Sequence, residues 1–272
     1  MKLKIGEHFF SWDRPLVMGI LNLTPDSFYD GGSHNNTDDV LRHCEKMLTD
    51  GADIIDIGAF SSRPGAEIIS VDEENQRLLP YLAEIRKRFP NIIISIDTFR
   101  KDVAKNALEN GADIINDISG GIFDENMLPF IGKNHVPYIM MHCGGSIESL
   151  HTNLIKDNPC EIVKSFFEEQ INSLSHYGDQ QIILDPGIGF NKSMKSNFEL
   201  LNNIDNYRVD NLPVLIGISR KSMIHKTLKI TSKEALNGTT VLNTVALMKG
   251  ADILRVHDVK EAVEAVKLIN EL

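Results

Sequence analysis

The stretches GADIIDIG (residues 51–58), GADIINDIS (111–119) and GADILRVHD (250–258) echo one another along the chain, and their reading decides the fold. Each opens on glycine, passes through a short polar turn and becomes an apolar run. A helical pattern precedes each one. Val40, Leu41, Cys44, Met47 and Leu48 recur after a cap-like Thr37; Val103, Ala104, Ala107 and Leu108 lead to Gly111; Val241, Leu242, Val245, Ala246 and Met248 lead to Gly250. Glycine belongs just past a helix end because it takes left-handed backbone without a Cβ clash. The unit is therefore helix, glycine stop, turn, buried strand. The echo is too short and imperfect for a solenoid repeat.

Five further apolar runs complete the series: LVMGILNL (16–23), IIISIDT (92–98), PYIMMHC (137–143), QIILDPG (181–187) and PVLIGIS (213–219). Near-continuous apolar character marks strands of a parallel sheet buried on both faces. Helical stretches separate most of them, for example 160–177 with Ile162, Val163, Phe166, Phe167 and Leu174. Eight strand–helix units match a (β/α)8 TIM barrel of about 250 residues, an α/β fold. A doubly wound open sheet is the alternative, because periodicity does not show closure. No linker or low-complexity segment interrupts the chain, so residues 1–272 read as a single domain. The leading KLKIGEHFFSWD alternates weakly, as a small hairpin beneath the barrel would.

The chain has 272 residues, 42% apolar and 24% charged, with net charge −10. An acidic surface argues against nucleic acid or anionic membrane as partner, since both demand a basic face. Small anionic substrates need only a few local cations. Cys44, Cys143 and Cys160 are scattered and form no CxxC, so a reduced cytoplasm fits better than a disulfide framework or zinc site. No run approaches the roughly 18 apolar residues of a membrane span, and the first residues lack a signal core.

Polar residues gather near the C-terminal ends of the strands: Asn22, Asp56, Asp97, Asn116, Asp185, Ser219, Lys221, Arg255 and His257. Several stand two residues after an apolar residue, and so on the same face: Ile20 then Asn22, Ile114 then Asn116, Ile183 then Asp185. Barrel enzymes build their sites at this end. An unpartnered polar group buried there would cost several kcal/mol, roughly, so a ring of them implies mutual pairing, water or ligand. Both charge signs suit a neutral polar ligand attached to an anion. A lone strand-end Asp is as often a helix cap or turn former, which is the reading for Asp117 and Asp258. In DPGIGFNK (185–192), Gly187 and Gly189 permit a tight loop.

Seven segments together, GILNLTPDSFYDGG (19–32), SSRPGAE (61–67), SIDTFR (95–100), NDISGG (116–121), DPGIGFNKS (185–193), GISRKSMI (217–224) and ADILRVHDV (251–259), resemble the dihydropteroate synthases in order along the whole barrel. The resemblance implies a pterin-binding TIM barrel of folate biosynthesis, a homodimer formed through helices near the C-terminus. It implies a transferase joining 6-hydroxymethyl-7,8-dihydropterin diphosphate to 4-aminobenzoate, with release of pyrophosphate and 7,8-dihydropteroate.

It also implies roles. Asp97, Asn116, Met141, Asp185 and Lys221 would form the pterin pocket. Asn22, Ser62, Arg63, Arg255 and His257 would hold the pyrophosphate, with Asn22 contacting Mg²⁺. Pro64, Phe190, Ser219 and Lys221 would receive 4-aminobenzoate. Asp97, Lys221, Arg255 and His257 would carry catalysis. The chemistry agrees: a carboxylate at Asp185 accepts a pair of ring donors, Asn116 reads a mixed pattern, and Arg255 offers a planar fork to phosphate. The implied mechanism is dissociative, an aromatic amine capturing a pterin methylene cation, and needs no tuned general base.

Three places depart from the family pattern: Phe60 stands where an acidic residue is frequent, Asn191 where glycine is common, and MHCGG (141–145) reads unlike its usual counterparts. Two rivals use the same barrel. A methyltetrahydrofolate-dependent methyltransferase would keep Asp97, Asn116 and Asp185 without needing Arg63, Arg255 and His257. A non-catalytic pterin-binding paralogue would lose residues of the first two loops.

Overall fold

A computed structural model describes residues 2–5, 8–23, 35–60, 68–147, 150, 152 and 154–272. Two short strands, β1 (Lys2–Ile5) and β2 (His8–Ser11), pair antiparallel as the expected hairpin. Eight parallel strands follow: β3 (Leu16–Asn22), β4 (Ile54–Gly58), β5 (Ile93–Asp97), β6 (Ile114–Asp117), β7 (Tyr138–Met141), β8 (Ile182–Asp185), β9 (Leu215–Ile216) and β10 (Ile253–Val256). They lie in the order β8-β7-β6-β5-β4-β3-β10-β9. A parallel bridge between Leu184 and Val214 joins the two ends, so the sheet closes on itself. This is the TIM barrel read from the sequence rather than the open sheet.

The surrounding helices are α1 (Asn35–Thr49), α2 (Val71–Arg88), α3 (Lys101–Glu109), α4 (Met127–Asn134), α5 (Pro159–Ser175), α6 (Met194–Asn202), α7 (Ile204–Tyr207), α8 (Ser222–Leu228), α9 (Leu236–Met248) and α10 (Val259–Ile269). Helix α1 begins two residues before Thr37, which therefore lies inside its first turn instead of capping it. Two other serines do cap helices: Ser70 accepts the N–H of Glu73, and Ser193 that of Ser196.

Strand alternation sorts the core into two layers. Val17, Ile55, Ile94, Ile115, Met140, Leu184, Ile216 and Leu254 face outward into the layer beneath the helices. Leu16, Met18, Ile54, Ile93, Ile114, Ile139, Ile183, Leu215 and Ile253 point inward and fill the lower barrel. Leu3 of the hairpin packs beneath them with Trp12 at its side, closing the barrel floor.

The GAD echo has a structural explanation. Gly51, Gly111 and Gly250 have φ of +101°, +97° and +93°. The next N–H in each case, of Ala52, Ala112 and Ala251, bonds back to Met47, Ala107 and Ala246, closing three matching helix ends. Each aspartate then accepts the N–H that starts the neighbouring strand: Asp53 from Val17, Asp113 from Ile94, Asp252 from Val214. Each also binds one arginine, respectively Arg14, Arg86 and Arg208. The echo thus builds three equivalent ties at the N-terminal rim, across β3/β4, β5/β6 and β9/β10.

Candidate active site

Further along β4, β5, β6, β8 and β10, the inward positions change from apolar to polar. Ile54 is followed by Asp56, Ile93 by Ser95 and Asp97, Ile114 by Asn116, Ile183 by Asp185, and Ile253 by Arg255. Parallel register brings these into one tier: Asp56 lies opposite Ser95, and Asp97 opposite Asn116. An apolar floor therefore carries a polar storey at the C-terminal mouth.

Arg255 organises that storey. Its Nε donates to Asp56 Oδ2 at 2.7 Å, and its Nη2 lies 2.6 Å from both Asp56 Oδ2 and Asp97 Oδ2. Asn116 Nδ2 donates to the same Asp56 oxygen at 3.1 Å. The other oxygen of Asp56 is buried and has no hydrogen-bond partner among the described residues. Burial pushes the Asp97 carboxyl up to about 7 despite the guanidinium beside it, with Asp56 adding to the rise. Burial opposes the charge of Arg255, but Asp56 and Asp97 outweigh it and hold the pKa above its ordinary value. The fork expected to face an anion is thus largely occupied by carboxylates. Arg255 belongs to a core ion network as well as to the mouth.

Asn22 ends β3 opposite Gly58. A Cβ at Gly58 would come 3.4 Å from Asp97 Cβ and 3.8 Å from Asn22 Oδ1, so the bare glycine lets these two side chains flank one gap. Strand β10 stops at Val256, one residue before His257, which sits exposed at the rim. The backbone N–H of His257 donates to Ser219 Oγ at 3.2 Å, tying the ends of β9 and β10 together.

Asp185 is 6% exposed. Its Oδ1 accepts the N–H of Gly187 at 2.7 Å, and Oδ2 has no protein partner among the described residues. Burial raises its pKa, opposed by Lys221, the Gly187 N–H, Arg255 and Lys192. Lys221 donates to the carbonyl of Ile188 and holds its Nζ 4.7 Å from the Phe190 ring centroid. Its pKa is drawn down to about 8 by burial, with Asp185 working the other way. Met141 belongs to an apolar wall at the mouth with Phe99, Ile118, Cys143 and Leu150; Phe60, Phe123 and Phe190 pack against it. Asp97, Asn116, Met141, Asp185, Phe190, Lys221 and Arg255 therefore converge. Ser62, Arg63 and Pro64 lie outside the described residues.

A match to the pterin binding enzyme family spans residues 18–257, which contain this storey. Dihydropteroate synthase of Clostridium beijerinckii is 42% identical over 98% of this chain and 97% of its own length. The chain belongs to the dihydropteroate synthases. With that family it is a transferase of folate synthesis. A Yersinia pestis dihydropteroate synthase solved with a sulfonamide drug superposes with a TM-score of 0.90 at 37% identity, covering 100% of this chain and 98% of that one. The Burkholderia cenocepacia dihydropteroate synthase complexed with 7,8-dihydropteroate gives 0.88 at 33% identity, covering 99% and 95%.

Two of the three departures from the dihydropteroate synthase pattern, at Phe60 and Asn191, now have local accounts. Phe60 stands edge-on to Phe99 at 5.5 Å, and Phe99 to Phe123 at 5.7 Å. The Arg100 guanidinium lies 4.7 Å from the Phe99 centroid while pairing with the buried Glu74, so Phe60 joins an aromatic and cationic cluster just after β4. Asn191 has φ +49°, the left-handed geometry that glycine would also supply, and its Nδ2 donates to the carbonyl of Thr152.

Asp117 is a turn former, accepting from Ser119, Gly121 and the Tyr138 hydroxyl. Asp258 is not a side-chain cap: it pairs with Arg220, whose Nε and Nη2 approach to 2.9 and 2.8 Å. A nearby arginine outcompetes the helix N–H groups for the carboxylate. The sequence alone assigned no role to Lys192, although the residue stands inside DPGIGFNK; its burial could not be read from a lysine in a loop. Among the described residues, no cluster of three His, Cys, Asp or Glu side chains is arranged to hold a metal.

Proposed function

We propose that this chain, as one pterin-binding barrel domain over residues 1–272, joins 6-hydroxymethyl-7,8-dihydropterin diphosphate to 4-aminobenzoate and releases pyrophosphate and 7,8-dihydropteroate. The observation that carries this reading is the buried carboxylate of Asp185, with Oδ2 unpartnered among the described residues, facing a tier that also holds Asn116 and Lys221. A carboxylate accepts adjacent amide-like donors in pairs, which is the edge a pterin presents. The product in the Burkholderia relative, 7,8-dihydropteroate, contains that edge.

In this reading Asp97, Asn116, Met141, Asp185 and Lys221 hold the pterin. Asn22, Ser62, Arg63, Arg255 and His257 face the diphosphate. Pro64, Phe190, Ser219 and Lys221 receive 4-aminobenzoate, its ring against Phe190. Mg²⁺ suits the diphosphate: it takes few protein ligands, and the carboxamide oxygen of Asn22 is a hard donor at the rim. When bound, it would neutralise charge on the leaving group.

The reaction is dissociative. The C–O bond to pyrophosphate breaks first, Asp97 faces the developing methylene cation, and the neutral amine adds and then loses its proton. Arg255, with Lys221 and His257, stabilises the transition state electrostatically. Exposed Val241, Met248 and Leu268 on α9 and α10 supply apolar surface for a homodimer. A cytoplasmic setting accords with the free cysteines, Cys44 and Cys143 buried and Cys160 partly so.

Pyrophosphate release that depends on 4-aminobenzoate tests the overall reaction, and its absence with both substrates present would overturn it. Positional isotope exchange in the pterin diphosphate without productive amine tests the dissociative step. Exchange is expected, and its absence while turnover proceeds would favour direct displacement.

A further inference from the structure

Lys192 is 4% exposed, on the loop after β8. Its Nζ reaches four acceptors: His142 Nδ1 at 2.9 Å, His142 O at 3.2 Å, and the carbonyls of Gly187 and Phe190 at 3.0 Å each. None of these is a carboxylate. A buried ammonium is costly to desolvate, so a set of polar acceptors converging on one is a built feature. Two acceptors belong to the loop after β7 and two to the loop after β8. The lysine joins the loops where they approach the pocket.

Backbone bonds extend that junction on either side. His142 N–H donates to the carbonyl of Asp185, Asn191 N–H to Leu150, and Ile155 N–H to Asn191. Gly187 has φ +64°, and a Cβ there would lie 2.0 Å from the His142 carbonyl oxygen and 3.2 Å from Lys192 Nζ. Only glycine lets the loops close around the ammonium. Gly187 is then gripped twice, its carbonyl by Lys192 and its N–H by Asp185 Oδ1.

We propose that Lys192 is a positioning residue for the pterin pocket, its buried ammonium locking the β7 loop to the β8 loop and so setting the Asp185 carboxylate and the Phe190 ring. This rests on the reading of Asp185 as the pterin acceptor.

The titratable groups facing Lys192 are His142 and Cys143 from the β7 loop, Asp185 from β8 and Lys221 from the β9 loop. Burial holds His142 well below its ordinary pKa, with the positive charge of Lys192 adding to the effect. The imidazole is therefore neutral and offers Nδ1 as acceptor. Burial lifts the Cys143 thiol to about 12, so it stays protonated. The Lys192 ammonium is itself drawn down to about 7 by burial, with Asp185 opposing. In return, the ammonium helps keep Asp185 ionised in a site where burial favours the neutral acid. Lys192 thus acts on Asp185 through geometry and through charge.

The test compares K192M and K192R with the wild-type chain, titrated by calorimetry with 6-hydroxymethyl-7,8-dihydropterin from pH 5 to 9. K192M should bind about tenfold more weakly or worse, the scale of losing charged hydrogen bonds. The acid limb of its affinity profile should move to higher pH, because Asp185 loses a neighbouring cation. K192R keeps the charge, so its acid limb should stay at the wild-type position whatever its affinity. A folded K192M with wild-type affinity and acid limb overturns the inference alone. A wild-type chain that does not bind the pterin removes the functional reading, and this inference with it.

Should K192M not fold, the wild-type chain with ¹³C-labelled lysine Cε decides. Lys192 and Lys221 have the depressed titrations, and K221R identifies the Lys192 signal by elimination. Saturation with the pterin should raise the Lys192 midpoint, because a ligand that needs the locked loops favours the charged amine. An unmoved midpoint overturns the proposal.

Discussion

Replacing Arg255 with methionine leaves two carboxylates facing each other in the barrel mouth, and the result should depend on pH. Methionine restores most of the aliphatic length but none of the charge. Arg255 now neutralises Asp56, whose side chain is fully buried, and Asp97, whose side chain is 20% exposed, from 2.6 Å each. Removing one partner of such a pair costs about 3–5 kcal/mol, because the remaining charge stays buried. Asp97 can escape by taking a proton. Its folded-state pKa is already raised to about 7, mainly by burial, and loss of the guanidinium raises it further. A carboxyl with a raised folded-state pKa adds no penalty below its unfolded value; the penalty grows as pH rises and is complete above the folded value.

R255M should therefore be mildly destabilised near pH 5. The extra loss should open near pH 7, where Asp97 of the wild-type chain ionises, and grow by about 1.4 kcal/mol per pH unit above it toward about 3–5 kcal/mol. With roughly 2–4 °C per kcal/mol for a domain of this size, the roughly 2 kcal/mol expected at pH 8.5 should lower Tm by about 4–8 °C. Differential scanning calorimetry of both proteins at pH 5.5, 7 and 8.5 measures this. A Tm difference that is the same at all three, or under about 2 °C at pH 8.5, would refute the reasoning.

Asp185→Asn presents an amide donor to a ring donor and should weaken binding of the pterin diphosphate about ten- to a hundredfold, the worth of a charged hydrogen bond. Calorimetry checks it, and unchanged affinity removes Asp185 from the pocket. Lys221→Ala should impair both substrates, since its amine lies between the Ile188 carbonyl and the Phe190 ring. Separate titrations with pterin and 4-aminobenzoate test this, and a change in Tm alone would mark a structural lysine. Gly187→Ala should destabilise by about 2–4 kcal/mol through a disfavoured φ and a clash with the His142 carbonyl, read by urea unfolding.

The barrel was legible because each strand is an apolar run and the helix before each of the three echoes ends on a glycine of positive φ. Asp56, Asp97, Asn116 and Asp185 were legible by alternation, since a spacing of two or four residues from an inward isoleucine gives the face. The partners were not. Arg14, Arg86 and Arg208 lie far along the chain from Asp53, Asp113 and Asp252 or beyond an intervening strand, and nothing local pairs them. For the same reason Arg255 reads as a free fork in sequence but meets Asp56 across 199 residues. Lys192 was hidden differently: its burial depends on two loops folding over it, which no periodicity records.

The ties made by Asp53, Asp113 and Asp252 act like a hoop around the base of a cask. They grip strand starts through backbone N–H groups, so they hold whatever side chains stand at the other end. Three adjacent pairs of staves are hooped in this way. The β7/β8 pair is not; there Gln181 bonds to Lys4 of the terminal hairpin instead. At the opposite rim the strands are drawn together by side chains, with Arg255 bridging from β10 to β4 and β5. The upper hoop is made from groups of the proposed ligand pocket, so damage there should open the mouth locally. In R255M, hydrogen exchange should quicken at the strand ends around residues 56–58 and 97 while the amides of Val17, Ile94 and Val214 keep their protection.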